Sequence, residues 1–436
     1  MGDTQRLQTV STKLQQIAEQ AKDYPERVFT SLVHMLDVEF LREAWRQTKK
    51  DKSPGIDGIT AKEYERNLEE NLRDLHERMR SGKYRATPVK RVWLEKADGS
   101  KRPIGKPAFE DKIVQRAVTM LLEAVYEQDF YDFSHGFRKG HSPHHALQEL
   151  RERCMSMNIH WVVDADVSGF FDNLDHGMLR EMIRQRINDG GVIRLIGKFL
   201  NAGVMEGETL TYSDRGTPQG GVISPMLANI FLHHVLDEWY EKQIKPRLKG
   251  RSFLIRFADD FIIGCELGED ARRVMEVLPK RFNRYGLTVH PEKTVVVRFG
   301  KPNGRNGDGN GNGTFEFLGF SHHWAKSRRG NWVIKRMTAS KRMRRTMKAI
   351  WEWCDRNRHM PLKEQSEELS RKMRGHYQYY GIRGNYKMLE TVFEHAEKSW
   401  RYWLSRRSHK GKVTGEKFEY IRENYPLPRP RIVHSI

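Results

Sequence analysis

Residues 252–266, SFLIRFADDFIIGCE, constrain this chain more than any other segment: two apolar runs meet at an Ala-Asp-Asp tip. Runs this short and this rich in Phe, Ile and Leu read as buried strands, so the tip reads as a hairpin turn. A second apolar strand, residues 159–166 (IHWVVDAD), ends on Asp166. Helical stretches intervene, and strands interleaved with long helices mean an α+β or α/β layer, with one sheet covered on at least one face.

These strands deliver Asp166, Asp259 and Asp260 to their ends. Consecutive strand residues face opposite sides, so Asp259 and Asp260 share a face only where the tip turns sharply, and one of them should be the better metal ligand. Three carboxylates converging out of water would raise one another's pKa unless a multivalent cation stood between them. Mg²⁺ answers that need, since it takes hard oxygen ligands and keeps positions for water and substrate phosphates. Two such ions can activate a 3′-hydroxyl and stabilise a departing pyrophosphate. Asp172 and Asp175, just beyond the strand, also read as cap or turn residues.

The charge balance names a class of partner. Among 436 residues, 77 Lys+Arg against 57 Asp+Glu leave +20 and a pI near 9.7. Residues 321–436 hold 28 Lys+Arg and 11 Asp+Glu, so +17 of that charge lies in the last 116 residues. Cations gathered at one end point to a phosphate backbone, from which they release condensed counterions. Cys154, Cys265 and Cys354 form no CxxC pair, which implies neither a disulfide framework nor a zinc site and fits a reducing compartment. The N-terminus lacks a signal peptide's apolar core, Arg6 replaces the Ser or Thr of a myristoylation signal, and no apolar run has membrane length. A cytoplasmic protein with no membrane partner is expected.

Along the chain, apolar spacing predicts a helix over residues 28–49, a turn-rich break at KKDKSPGIDGIT, and helix again over 61–80. RVWLEKADGSKRPIGKP predicts two short strands around residues 97–100. The Gly/Asn tract 300–313 lacks the Lys-Ser/Thr and the helix of a phosphate-binding loop and reads as a surface loop. After Lys335 the pattern turns helical, with Met343, Met347, Ile350, Trp351 and Cys354 on one face and Lys341, Arg342, Arg344, Arg345 and Lys348 around them.

VVDADVSGFFDNLDH, RGTPQGGVISPMLANIFLHH, IRFADDFIIG, YGLTVHPEKT and FEFLGF follow one another in the order and approximate spacing of reverse-transcriptase palm motifs, from Val162 to Phe320. The set resembles bacterial group II intron reverse transcriptases. Upstream, LDVEFLREAWRQTKKDKSPGIDGIT and EKADGSKRPIGKP look like the family's N-terminal extension and finger blocks; downstream, residues 369–408 look like its maturase segment. Two departures stand out: Phe257 where Tyr is more usual, and nothing after Arg407 resembling the zinc-bearing endonuclease of some relatives.

The resemblance implies an α+β right-hand polymerase fold: a helical N-terminal extension (1–50), fingers and an antiparallel palm (51–325), a helical thumb/maturase domain (326–410) and a short basic tail (411–436). It implies an RNA-directed DNA polymerase with two Mg²⁺ ions, for which Mn²⁺ can substitute, held by Asp166, Asp259 and Asp260. Phe171 falls where the family puts an aromatic plate that excludes a 2′-hydroxyl, and Gln219 where nucleotide pocket and template meet. Lys96 and Arg102 resemble the triphosphate-holding finger cations, and Lys293 the lysine that protonates pyrophosphate. Arg371, Lys372, Arg374, Arg406 and Arg407 are the expected RNA-binding set. The implied partners are dNTPs, an RNA template with a DNA or RNA primer, and a structured intron RNA whose splicing the protein assists; protein partners are left open. An RNA-binding splicing factor with little polymerase activity, or a relative recruited to host defence or DNA repair, are the alternatives. SHGFRKGHSPHHAL resembles a finger/palm motif, which makes His141, His144 and His145 template-side surface, and His322 and His323 belong to the turn after FEFLGF.

Overall fold

The computed structural model describes residues 3–95, 101–217, 220–302, 313–327, 329–408 and 411–436. Lys96 and Gln219 therefore lie outside the described residues, as do residues 97–100 and most of the Gly/Asn tract. In chain order the strands are β1 (Val89–Glu95), β2 (Lys101–Lys106), β3 (Trp161–Ala165), β4 (Val167–Ser168), β5 (Val204–Glu206), β6 (Thr209–Thr211), β7 (Ser252–Phe257), β8 (Asp260–Cys265), β9 (Thr288–Val289), β10 (Val295–Arg298), β11 (Phe315–Phe317), β12 (Phe320–Lys326) and β13 (Trp332–Thr338).

The central sheet runs β10-β3-β8-β7, every neighbour antiparallel. Its strands are largely apolar because both faces are covered. Leu254, Phe261, Ile263 and Cys265 enter the main core, while the alternate residues Phe253, Ile255 and Ile262 enter a second core on the opposite face. Helices Gly268–Asn283, Ser224–Leu232 and Phe109–Tyr126 build the first face. Helix Pro143–Ser156 and the sheet β11-β12-β13 build the second. The β1/β2 pair foreseen around residues 97–100 forms, extended by β5 and β6.

The predicted helix over 28–49 is shorter. Asp189 Oδ2 accepts the Leu32 and Val33 backbone N–H groups at 2.5 and 2.9 Å, and that segment forms only a short 3-10 turn, Val33–Met35, in place of α-helix. The α-helix starts only at Val38, where Asp37 accepts the Phe40 N–H at 2.8 Å. His322 and His323 also differ from expectation: they lie in β12, and His322 is fully buried with its ring stacked on Phe315 at 4.9 Å.

A separate core, including Met343, Ile350, Leu369, Val392 and Trp400, joins helices Ser340–Arg356, Leu362–Tyr380, Tyr386–Leu404 and Gly415–Asn424. Residues 411–436 are packed, not trailing, because Val413, Phe418, Ile421 and Leu427 belong to that core. The fully buried Asn385 joins the unit to β13, donating to Thr338 Oγ1 at 2.8 Å and accepting the Thr338 N–H at 2.9 Å. The last residues return as a strap: the Val433 and His434 N–H groups donate to Gly381 O at 2.7 and 2.9 Å, and the His434 ring stacks on His144 at 3.7 Å. Arg336 donates to Ile436 O at 2.7 Å. Among the described residues, no helix is long and apolar enough to cross a membrane.

Candidate active site

The pairing Phe257↔Asp260 leaves Ala258 and Asp259 as a two-residue loop, with Ala258 at φ 57 as a tight hairpin turn requires. The turn is held from behind. Arg256 and Asp237 are fully buried, and the guanidinium donates to Asp237 Oδ1 and Oδ2 at 2.8 and 2.5 Å, to Asn229 Oδ1 at 3.0 Å and to Ala258 O at 3.1 Å. Asn229 in turn donates to Gly136 O at 2.7 Å. Gly136 abuts the turn so closely that a Cβ there would lie 2.2 Å from Ala258 N. An arginine inside an apolar run has to be paired, and that was the one sequence signal for this network; its side-chain partners, Asp237 and Asn229, lie 19 and 27 residues back in the chain.

The register Ala165↔Phe261 sets Asp166, the next residue, beside the start of β8 and its Asp260. The segment after β9 clamps Asp166: its carbonyl accepts the His290 N–H at 2.8 Å, and Oδ2 accepts from Lys293 Nζ at 2.7 Å. Asp260 opens to solvent at its outer edge, yet the protein packed around it, then the charges of Asp259 and Asp166, push it up to about 6. Burial and Asp166 also raise Asp259, against the pull of Arg102 and Arg256. A fourth acid was missed. Asp164 is pushed up to about 7 by burial, Asp260 and Asp166, and its i, i+2 spacing from Asp166 in DAD, which puts both on one strand face, was the available signal.

Among the described residues, no three or more His, Cys, Asp or Glu side chains are gathered as a group that could hold a metal ion as they stand. The donor set nonetheless fits a hard divalent cation: oxygen ligands only, set at the rim of the core where a substrate can reach them, with Asp259 and Asp260 each destabilised by a neighbour's charge.

The other expected residues divide. Phe171 is half-buried at the edge of the main core, 5.4 Å edge-on from Phe170, and its carbonyl accepts the Thr217 N–H at 2.8 Å. Gly220, at φ 115, approaches β2 so closely that a Cβ would lie 2.6 Å from Gly105 O. The residues flanking Pro218 and Gln219 thus reach both the Phe171 backbone and β2. Arg102 is exposed on β2, opposite Leu94, and close enough to bear on Asp259. Asp175 is a cap, accepting the Met178 N–H at 2.8 Å. His135 lies 3.0 Å from His141 and 2.7 Å from Glu149, whereas His144 donates to Tyr379 O at 2.8 Å and stacks on His434, so these histidines share no common point.

In the helical unit, Arg371, Lys372 and Arg374 are exposed; Arg371 pairs with Glu368, and the Lys372 ammonium lies 5.8 Å from the Trp353 ring centroid. Arg406 stacks 3.5 Å over Tyr402. Arg407 is committed to structure, donating to Arg358 O and, at 2.6 Å, to Met360 O. Arg406 and Arg407, with Arg358, Lys398, Arg401 and Lys412, line a cleft of about 940 Å³.

Comparison with known proteins gives this site a context. The family described as reverse transcriptase (RNA-dependent DNA polymerase) matches residues 94–322, more than half of the chain and all of the acids above. The chain belongs to the reverse transcriptase family. Protein YkfC of Escherichia coli strain K12 is 34% identical over 258 residues, 52% of this chain and 67% of that protein. The group II intron-encoded protein LtrA of Lactococcus lactis subsp. cremoris is 36% identical over 241 residues, 55% of this chain. The chain spans only 40% of LtrA's length. Nuclear intron maturase 1 of Arabidopsis thaliana is 31% identical over a shorter stretch, 95 residues, 22% of this chain and 13% of that protein.

Proposed function

We propose that this chain is an RNA-directed DNA polymerase of the group II intron type that also binds structured intron RNA and assists its splicing. The observation that carries the polymerase is the Asp259–Asp260 turn set beside Asp166, three carboxylates in one another's field at the end of a rigid sheet. In this reading the molecule is a right hand, with β1 and β2 in the fingers, the central sheet as palm and the helices after Thr338 as thumb. The family works with divalent metal ions, and Asp166, Asp259 and Asp260 would hold two Mg²⁺, or Mn²⁺ in their place. Bound there, the ions supply the charge that activates a primer 3′-hydroxyl and steadies the leaving pyrophosphate.

The chain's own groups do the rest. Arg102, with Lys96, holds the triphosphate of the incoming dNTP, Arg by its bidentate fork. Phe171 lies under the sugar and rejects an added 2′-hydroxyl, and Gln219 serves the junction of nucleotide pocket and template. Lys293 carries a proton at Nζ, 2.7 Å from Asp166, available to the leaving pyrophosphate. Cations of the helical unit, Arg371, Lys372, Arg374 and Arg406, meet intron RNA phosphates. The names of LtrA and the Arabidopsis maturase support the splicing half.

Two measurements test this. Extension of oligo(dT) on poly(rA) with Mg²⁺ is expected from the wild-type chain, and its absence removes the polymerase. Sequencing of co-purified RNA is expected to return an intron, and an unstructured or random RNA population removes the splicing role.

A further inference from the structure

Phe137 is 58% exposed and sits at φ 58, in the left-handed region that an aromatic residue rarely adopts. Large apolar residues normally accept such a backbone only when burial rewards it, yet this ring projects into solvent. The backbone around it is clamped on both sides. Ser134 pairs in parallel with Arg256; the His135 N–H donates to Arg256 O at 2.8 Å, and the Arg256 N–H to Phe133 O at 2.9 Å. Arg138, buried just after it, donates to Tyr131 O and Ser134 O, both at 2.7 Å, and to Glu127 at 2.9 Å. The residue before it, Gly136, lies against the peptide between Phe257 and Ala258.

An exposed aromatic ring is therefore held in a strained backbone, and the glycine before it touches the turn that carries Asp259. Strain that survives without packing marks a residue kept for contact with something outside the fold. Lys139, exposed two residues on, adds a cation to the same short segment, and an aromatic residue accompanied by a cation suits a nucleotide better than it suits an apolar peptide. We propose that Phe137 is a stacking plate for nucleic acid, its ring meeting a base of the primer-template next to the reacting pair. It is a binding and positioning residue, and its role rests on the polymerase reading above.

The test uses the full chain as wild type, Phe137→Ala, Phe137→Gly and Phe137→Tyr. Loss of one stacked base is expected to weaken primer-template binding by roughly 5- to 150-fold in Phe137→Ala. KM for primer-template should rise while kcat on the saturated complex stays near wild type, and Phe137→Tyr should restore both. Phe137→Gly should bind as weakly as Phe137→Ala yet melt at or above the wild-type temperature, because it relieves the backbone; a structural residue would lower the melting point. Primer-templates with one abasic site, at the primer terminus or at the templating nucleotide, identify the strand. Wild type should lose affinity for the one whose stacked base is missing, and Phe137→Ala should be indifferent to that loss. Affinity of Phe137→Ala equal to wild type, or identical abasic penalties in both proteins at both positions, overturns the proposal. A wild-type chain that extends no primer overturns instead the polymerase reading on which it rests.

Discussion

Among the described residues, like charge is clustered at the hairpin of the central sheet and in the helical unit, and the two clusters are handled in opposite ways. At the hairpin of the central sheet, Asp166, Asp259 and Asp260 are crowded together at the rim of the core, with Asp259 and Asp260 pushed above the ordinary carboxylate range. In the helical unit the cations stand in water, several paired one turn along their own helix, as Lys348 and Arg356 are with Glu352 and Lys398 with Glu394. Such surface pairs contribute about 0–1 kcal/mol each and give way readily. The difference teaches what each cluster can hold. Crowded repulsion is relieved best by small dense cations at one point, whereas exposed charge spreads its attraction along a polyanion and is weakened by salt.

The sharpest break in the comparison is to remove one acid. Asp259→Asn or Asp166→Asn should take primer extension to background while RNA affinity, measured by filter binding, changes by no more than about twofold, since neither acid contacts phosphate without the ions. Residual extension near wild type would sink the two-ion assignment. Next in size is the scaffold behind the acids: Asp237→Ala leaves Arg256 charged and unpaired in the core, and chemical denaturation should show a loss of about 3–5 kcal/mol. A far smaller loss would mean that the Arg256 network is not what holds the turn.

On the other side, neutralising Arg371, Lys372, Arg374 and Arg406 together should weaken binding to structured RNA and flatten the slope of log K against log salt, by about 0.7 to 0.9 for each phosphate that the variant no longer neutralises. Extension on a short primer-template at low salt should remain measurable; an unchanged slope would move the RNA grip elsewhere. Arg407→Gln is expected to behave differently from those four, lowering stability through the freed Arg358 and Met360 carbonyls more than it lowers the salt slope. Smallest in total rate is Phe171→Ala, which should admit ribonucleotides and shift the dNTP/rNTP selectivity ratio. Unchanged selectivity would return Phe171 to the core.

How much of this was legible in the sequence follows from how local each cause is. The hairpin was readable because its signal lies within a single short stretch, two apolar runs that meet where acids must emerge. Helices over 61–80 and the β1/β2 pair were readable on the same grounds. The segment 28–36 was not, since Asp189, some 156 residues on, takes its N–H groups. His322 looked like turn chemistry and became buried strand once β13 paired beside it. The partners of Arg256, the closeness of Gly136 to Ala258 and the exposed strain at Phe137 are tertiary facts that no periodicity announces. Residues 411–436 misled for a compositional reason: their basic, Pro-containing stretch hides four core residues spaced too irregularly to read as a helix face.

The strap that returns to Gly381 changes how the helical unit can move. A body hung from a single chain crossing swivels freely, but this one is tied at several separated points, among them Asn385 on Thr338, Tyr379 on Leu318 O and on His144, and His434 on His144. Ties so far apart oppose rotation about any one of them. The helices are thus braced against twisting about their own length, which would keep whatever they grip in one orientation to the acids.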